Sequence, residues 1–320
     1  MSARTRRRIS TRTDVPRGKD ELRASCGGRR SRRGRPLLGR GPLSAKEGKH
    51  TVSELTYAPE RAEELAEAHA RIRAEIDEWA AETPRDRRPA SGVELMTVTK
   101  FFPASDVAAL YDAGVRVFGE NRDQEASAKA AALADYAAGD PPAWNYIGQL
   151  QSNKAKSVVK YATAVHSVDR SSLATALGKA YRSAVARYES EEGPEPASAA
   201  NGGLECLIQV GLDDTGATPG EAARGARGGA DPDDVWRIAD HIAEADGLRV
   251  GGLMAVAPLG ADPAQAFEKL WNLSVQLRRR HPEAWKISAG MSADMREAIR
   301  WGSTSVRVGS AIMGRRPSNT

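Results

Sequence analysis

The stretch 93–100, VELMTVTK, decides how this chain is read. Val93, Leu95, Met96 and Val98 form a short β-favouring apolar run. Phe101-Phe102-Pro103 follows, and the proline blocks helical continuation and closes the strand. Lys100 therefore stands at the carboxyl end of a strand, the edge at which α/β proteins gather their chemistry. A lysine that ends an apolar strand is commonly just the first solvated residue, so its company decides whether it does more.

Outward from this stretch, strand-like and helix-like segments alternate. Before it, apolar Leu65, Ile72, Ile76 and Trp79 recur at helical spacing among Glu and Arg between Pro59 and Ala81, an amphipathic helix. Strands are expected at 93–99, 115–119, 144–147, 163–168, 204–210, 248–254, 285–289 and 304–308. Helices are expected at 105–113, 121–138, 152–161, 171–188, 233–245, 263–280 and 292–301. Eight strands, each but the last followed by a helix, point to an α/β fold and to a closed (β/α)8 TIM barrel. An open doubly wound sheet is the alternative, but no GxGxxG follows the first strand. Residues 189–203 and 214–232 are rich in Gly, Pro and Ala and are expected as mobile loops around strand five.

The charge separates into two unlike parts. Residues 1–50 carry 16 Lys/Arg against 4 Asp/Glu, or +12; the remaining 31 basic and 38 acidic residues give −7. A disordered basic extension is expected over 1–51 and one barrel domain over 52–320. The extension could bind nucleic acid or serve as a plain flexible tail. The reading preferred here is that translation starts at Val52, from a GTG codon preceded by the purine-rich Lys46-Glu47-Gly48 codons. The mildly acidic body gives no reason to expect a nucleic-acid partner. Two cysteines, Cys26 and Cys206, build neither a disulfide framework nor a metal site. No apolar run approaches the roughly 18–20 residues that span a bilayer, and the leader lacks a signal peptide's apolar core. A cytoplasmic protein without a membrane partner is expected.

At the other strand ends stand Gly119-Glu120-Asn121, the loop 148–154, His166-Ser167-Val168-Asp169, Gly290-Met291-Ser292, and Arg307 with Gly309-Ser310. The loops after strands seven and eight are this fold's usual phosphate cradle. Ser292 also reads as an N-cap, and Gly309 as a simple turn. A lysine opposite a phosphate cradle, with an arginine between, suggests an aldehyde cofactor bearing a phosphate, such as pyridoxal phosphate. At the pyridine nitrogen a guanidinium, unlike a carboxylate, accepts no proton, so the cofactor is electronically muted.

The ordered strings TVTKFFP, VFGENRDQE, WNYIGQLQSNKAK, HSVDR, GLMAVAP, GMSADM and GSTSVRVGSAIMG closely resemble the pyridoxal phosphate homeostasis protein family. These are single-domain relatives of the alanine racemase N-terminal barrel, and the resemblance covers about residues 55 to 315. It implies a fold-type III barrel with pyridoxal 5'-phosphate held as a Schiff base on Lys100. It places Asn121 near the ring, Arg307 at the pyridine nitrogen, and Ser292, Gly309 and Ser310 around the phosphate. It implies a part in vitamin B6 balance without catalytic turnover, with cofactor-dependent apoenzymes as candidate recipients. Asn145 departs from a common histidine, Phe101-Phe102 from more polar residues, and Arg296 from an acidic one.

The alternative is an amino-acid racemase on the same barrel. Such enzymes resemble two-domain dimers in which a tyrosine of a β-rich second domain supplies the opposing acid/base group. This chain ends soon after strand eight, so no such domain and a monomer are expected. Tyr111, Tyr146 and Tyr161 are the tyrosines available in the barrel's first half, Tyr146 reading as core.

Overall fold

The computed structural model describes residues 55–212, 228–258, 260 and 262–316. The extension expected over 1–51 and most of the 214–232 insert lie outside the described residues. Eight parallel strands close into a barrel in chain order: β1 (Glu94–Val98), β2 (Val117–Glu120), β3 (Ala143–Tyr146), β4 (Ala164–Val168), β5 (Leu204–Gln209), β6 (Leu248–Met254), β7 (Lys286–Ser288) and β8 (Ser305–Val308). β8 closes on β1 through the pairs Glu94–Ser305, Leu95–Val306, Met96–Arg307 and Thr97–Val308. β4 and β5 are buried at every position, as strands covered on both faces must be.

The helices are α1 (Pro59–Glu82), α2 (Ala104–Asp112), α3 (Asp123–Ala134), α4 (Ala155–Tyr161), α5 (Ser171–Glu189), α6 (Val235–Ala243), α7 (Pro263–Arg280), α8 (Met295–Arg300) and α9 (Ser310–Met313). α1 starts with Pro59 in its first turn, where the missing N–H costs nothing. Its buried stripe Leu65, Ala68, Ile72 and Ile76 packs on α2, α8 and α9, so it seals the seam where β8 meets β1. Leu65, Ile72 and Ile76 each contribute roughly 1.5–3 kcal/mol on burial. Ile76→Ala alone would open a cavity at this seam.

Several boundaries differ from expectation for local reasons. β2 runs 117–120, not 115–119. Gly114 is left-handed at φ 93°, and Val115 N–H donates to Leu110 O, so 114–115 finish α2 instead of starting a strand. Lys154 ends a short 3-10 turn, Ser152–Lys154, that precedes α4 in place of one long helix. β8 is followed by a helix after all, the short α9. The 189–203 loop is pinned in its second half: Ala197 N–H donates to Lys160 O, and Ser198 is fully buried.

Candidate functional site

Lys100 sits two residues past β1, in a turn that Phe102 N–H closes onto Thr99 O. It lines a cleft of about 390 Å³ at the carboxyl end of the barrel, with Asn121, Ser292, Arg307, Gly309 and Ser310 on the same walls. The six residues singled out in sequence therefore converge on one cleft, although they span 210 positions of chain (310 − 100). Val98, Ile147, Met254, Val256 and Met291 supply its apolar lining.

Desolvation lowers the Lys100 amine below its ordinary value, Arg316 and Arg122 push the same way, and Glu120 opposes them. More of the amine is thus unprotonated, which is the nucleophilic form. Behind it lies a buried network. Glu120 Oε1 accepts from Lys129 Nζ at 2.6 Å and from Thr99 Oγ1 at 2.6 Å, and Lys129 Nζ also donates to Thr99 O at 2.8 Å. Burial raises the Glu120 carboxyl, against the pull of Lys129 and the two hydrogen bonds.

Arg307, on β8, is buried where it lines the cleft. Its Nη1 donates to Ser288 O at 2.7 Å and Ser288 Oγ at 2.8 Å, and its Nη2 donates to Ala255 O at 2.9 Å. Burial pulls the guanidinium down to about 10, so it stays charged at neutral pH. His166 Nδ1 lies 3.0 Å from Ser288 Oγ. A guanidinium only donates, so Ser288 Oγ accepts from Arg307 and its own proton can go to the imidazole. Burial, with Arg307 and Lys286 repelling a proton, holds His166 down to about 3 and therefore neutral. His166 lies in the middle of β4 and not at its end, buried in this support layer.

Two glycines set the walls. A Cβ on Gly148 would meet Asn121 O at 2.2 Å, so only glycine lets the end of β3 lie against the Asn121 backbone. A Cβ on Gly309 would press on Val98 O at 3.3 Å. Beyond Gly309 the first turn of α9 leaves N–H groups without intrahelical acceptors. Ser292 does not cap the following helix. Asp294 takes the cap position, and its Oδ1 accepts from Met291 N–H at 2.6 Å, which leaves Ser292 exposed on the cleft wall.

The residues fit a flat, phosphate-bearing aldehyde. Asn121 Oδ1 is buried without a hydrogen-bond partner, an orphan acceptor on the cleft wall that awaits a donor. A partly desolvated amine, a fixed guanidinium and a wall of Ser and Gly complete the set. Sequence reasoning set Glu120 at the end of strand two without its buried partner, and passed over Lys129 and also Arg316 on the cleft wall. Lys129 had a signal: it lies between Ala126 and Leu133 on the buried stripe of α3, where a charge requires a partner. Arg316 had none.

The profile of the family described as "Alanine racemase, N-terminal domain" matches residues 76–317. The pyridoxal phosphate homeostasis protein of Mycobacterium tuberculosis H37Rv is 38% identical over 271 residues, 83% of this chain and 98% of that protein. That of Corynebacterium glutamicum is 40% identical over 232 residues, 72% of this chain and 93% of its own. Among solved structures, PipY of Synechococcus elongatus PCC7942 with PLP bound is similar at a TM-score of 0.59 and 30% identity. The match covers 78% of this chain and 100% of PipY.

Proposed function

Since the chain belongs to the pyridoxal phosphate homeostasis protein family, we propose that it binds pyridoxal 5'-phosphate around Lys100 and serves in intracellular vitamin B6 homeostasis. The observation that carries this reading is the convergence of six sequence-separated residues on one cleft that contains an orphan acceptor, Asn121 Oδ1. Bound to an amine through its aldehyde, this cofactor supplies an electron sink whose strength depends on the protonation of its ring nitrogen.

The protein's own groups divide the work of holding it. Lys100 Nζ forms the covalent attachment, helped by a lowered proton affinity. Ser292, Gly309 and Ser310 receive the phosphate through hydroxyl and backbone N–H donors. Asn121 contacts the ring. Arg307 faces the ring nitrogen and, as a permanent donor, leaves it unprotonated. The family members named above are homeostasis proteins, and we assign this chain binding without turnover. Supporting that assignment, the tyrosines weighed as a second acid/base group are engaged elsewhere. Tyr146 bonds Gln149 O, Tyr161 bonds Asp123 Oδ1, and Tyr111 bonds Asp140 O. We further assign it to the cytoplasm as a monomer that supplies cofactor-dependent apoenzymes. Among the described residues no helix is long and apolar enough to cross a membrane.

Borohydride reduction of the cofactor-loaded protein, followed by peptide mapping, tests the assignment. The reduced adduct is expected on Lys100. An adduct scattered over surface lysines, with Lys100 unmodified, would overturn it.

A further inference from the structure

Phe101, the neighbour of Lys100, is held in a backbone conformation that side chains rarely adopt, with φ 73°. Strain of this kind persists only where surrounding contacts enforce it, and it concentrates at functional sites. Here the Phe101 N–H donates to Glu125 Oε2 at 2.9 Å. The ring it presents gathers three cations. From its centroid, Arg316 Cζ lies 4.4 Å away, Arg122 Cζ 4.9 Å and Lys100 Nζ 5.9 Å.

The three cations are not equally neutralised. Arg122 shares the Glu125 carboxylate at 3.2 Å. Lys100 has Glu120 behind it, though Glu120 is committed to Lys129 and Thr99. Among the described residues, no carboxylate pairs with Arg316. Arg316 is exposed, lines the cleft and rests on an aromatic platform. A guanidinium laid on an aromatic ring keeps its N–H fork free for a planar anion, the geometry that suits a carboxylate.

We propose that Arg316, oriented by Phe101, is a carboxylate-recognition subsite that admits amino acids to Lys100. This rests on the reading that Lys100 carries the cofactor covalently. The consequence is a release route. An amino acid enters with its carboxylate on Arg316, and its unprotonated nitrogen adds to the carbon that Lys100 holds. The carbon–nitrogen bond to Lys100 then breaks, and the proton lost by the incoming nitrogen passes to the departing lysine amine. Atoms and charge balance without any oxidant or reductant. The cofactor leaves as its amino-acid adduct, and release answers to the amino-acid supply.

The test compares wild type and Arg316→Gln, both loaded with pyridoxal phosphate. The rate at which the lysine-bound absorbance is lost is measured with alanine and with alaninamide, at equal concentrations of unprotonated amine. The two ligands differ in the carboxylate. One charge-assisted pair at an exposed site predicts a preference for alanine of roughly fivefold in wild type, falling to about one in Arg316→Gln. An unchanged ratio in the variant would overturn the proposal. So would a parallel fall in cofactor retention at a constant ratio, which would give Arg316 to the cofactor's own phosphate. If neither protein takes up cofactor, the cofactor reading fails, and the subsite fails with it.

Discussion

Lys129→Met is the perturbation that the buried layer behind Lys100 makes most telling. The Lys129 side chain is 7% exposed and that of Glu120 1%, so solvent screens their 2.6 Å contact very little. Removing the ammonium leaves a buried carboxylate with Thr99 Oγ1 as its remaining donor, since Glu120 Oε2 already has no partner. Breaking one side of a buried ion pair costs roughly 3–5 kcal/mol. Thr99 O loses its bond from Lys129 as well, about 1 kcal/mol more. At roughly 2–4 °C per kcal/mol for a protein of a few hundred residues, the melting temperature should fall by roughly 8–24 °C at neutral pH.

The deficit also has a predicted pH dependence. Burial holds the folded Glu120 carboxyl above its ordinary value of 4.5, and loss of Lys129 raises it further. A group with a raised folded value contributes its full stability below the unfolded value and loses it as pH rises through the folded one. The variant's deficit should thus be smallest near pH 4.5 and grow toward neutrality by up to about 1.4 kcal/mol per pH unit. Thermal unfolding followed by circular dichroism at pH 5 and pH 8 is the assay. A shift under 3 °C at pH 8, or the same shift at both, would refute the reasoning. Adding Glu120→Gln to Lys129→Met should recover much of the loss.

Two further outcomes follow from the support layer and the walls. His166 is held to about 3 when folded but takes a proton near 6.5 when unfolded, so its contribution is complete above pH 6.5 and drains away as pH falls toward 3. Urea titrations should lose roughly 1 kcal/mol per pH unit below 6.5, and His166→Gln should flatten that slope; an equal slope in both proteins would contradict the assignment. Gly148→Ala forces a Cβ to within 2.2 Å of Asn121 O, so Asn121 must shift. Equilibrium dialysis should show cofactor affinity at least about tenfold weaker, since roughly 1.4 kcal/mol suffices for that factor. Unaltered affinity would remove Asn121 from the site.

The barrel was legible in the sequence because its strands are short continuous apolar runs punctuated by turn formers, the pattern of a parallel sheet covered on both faces. Lys100 was legible because Pro103 marks where β1 must stop. What stayed hidden depends on contacts between distant parts of the chain. Val115-Arg116-Val117-Phe118 has the composition of a strand throughout, and the Val115-to-Leu110 hydrogen bond gives its first residue to the turn that ends α2. Ser292 fits the composition of an N-cap, but Asp294 reaches the Met291 N–H instead. Arg316 meets the Phe101 ring across 215 positions (316 − 101), and no local pattern announces that contact. The left-handed backbone at Phe101 is equally silent, because phenylalanine has no preference for it.

The central claim is that Lys100 Nζ anchors pyridoxal phosphate. The absorbance spectrum of the protein mixed with the cofactor and then exhaustively dialysed, beside Lys100→Ala, tests it most directly. Wild type should retain a visible band at one equivalent per chain, and Lys100→Ala should retain none while unfolding at the same temperature or higher. A band of equal strength in Lys100→Ala, or none in either protein, would contradict it.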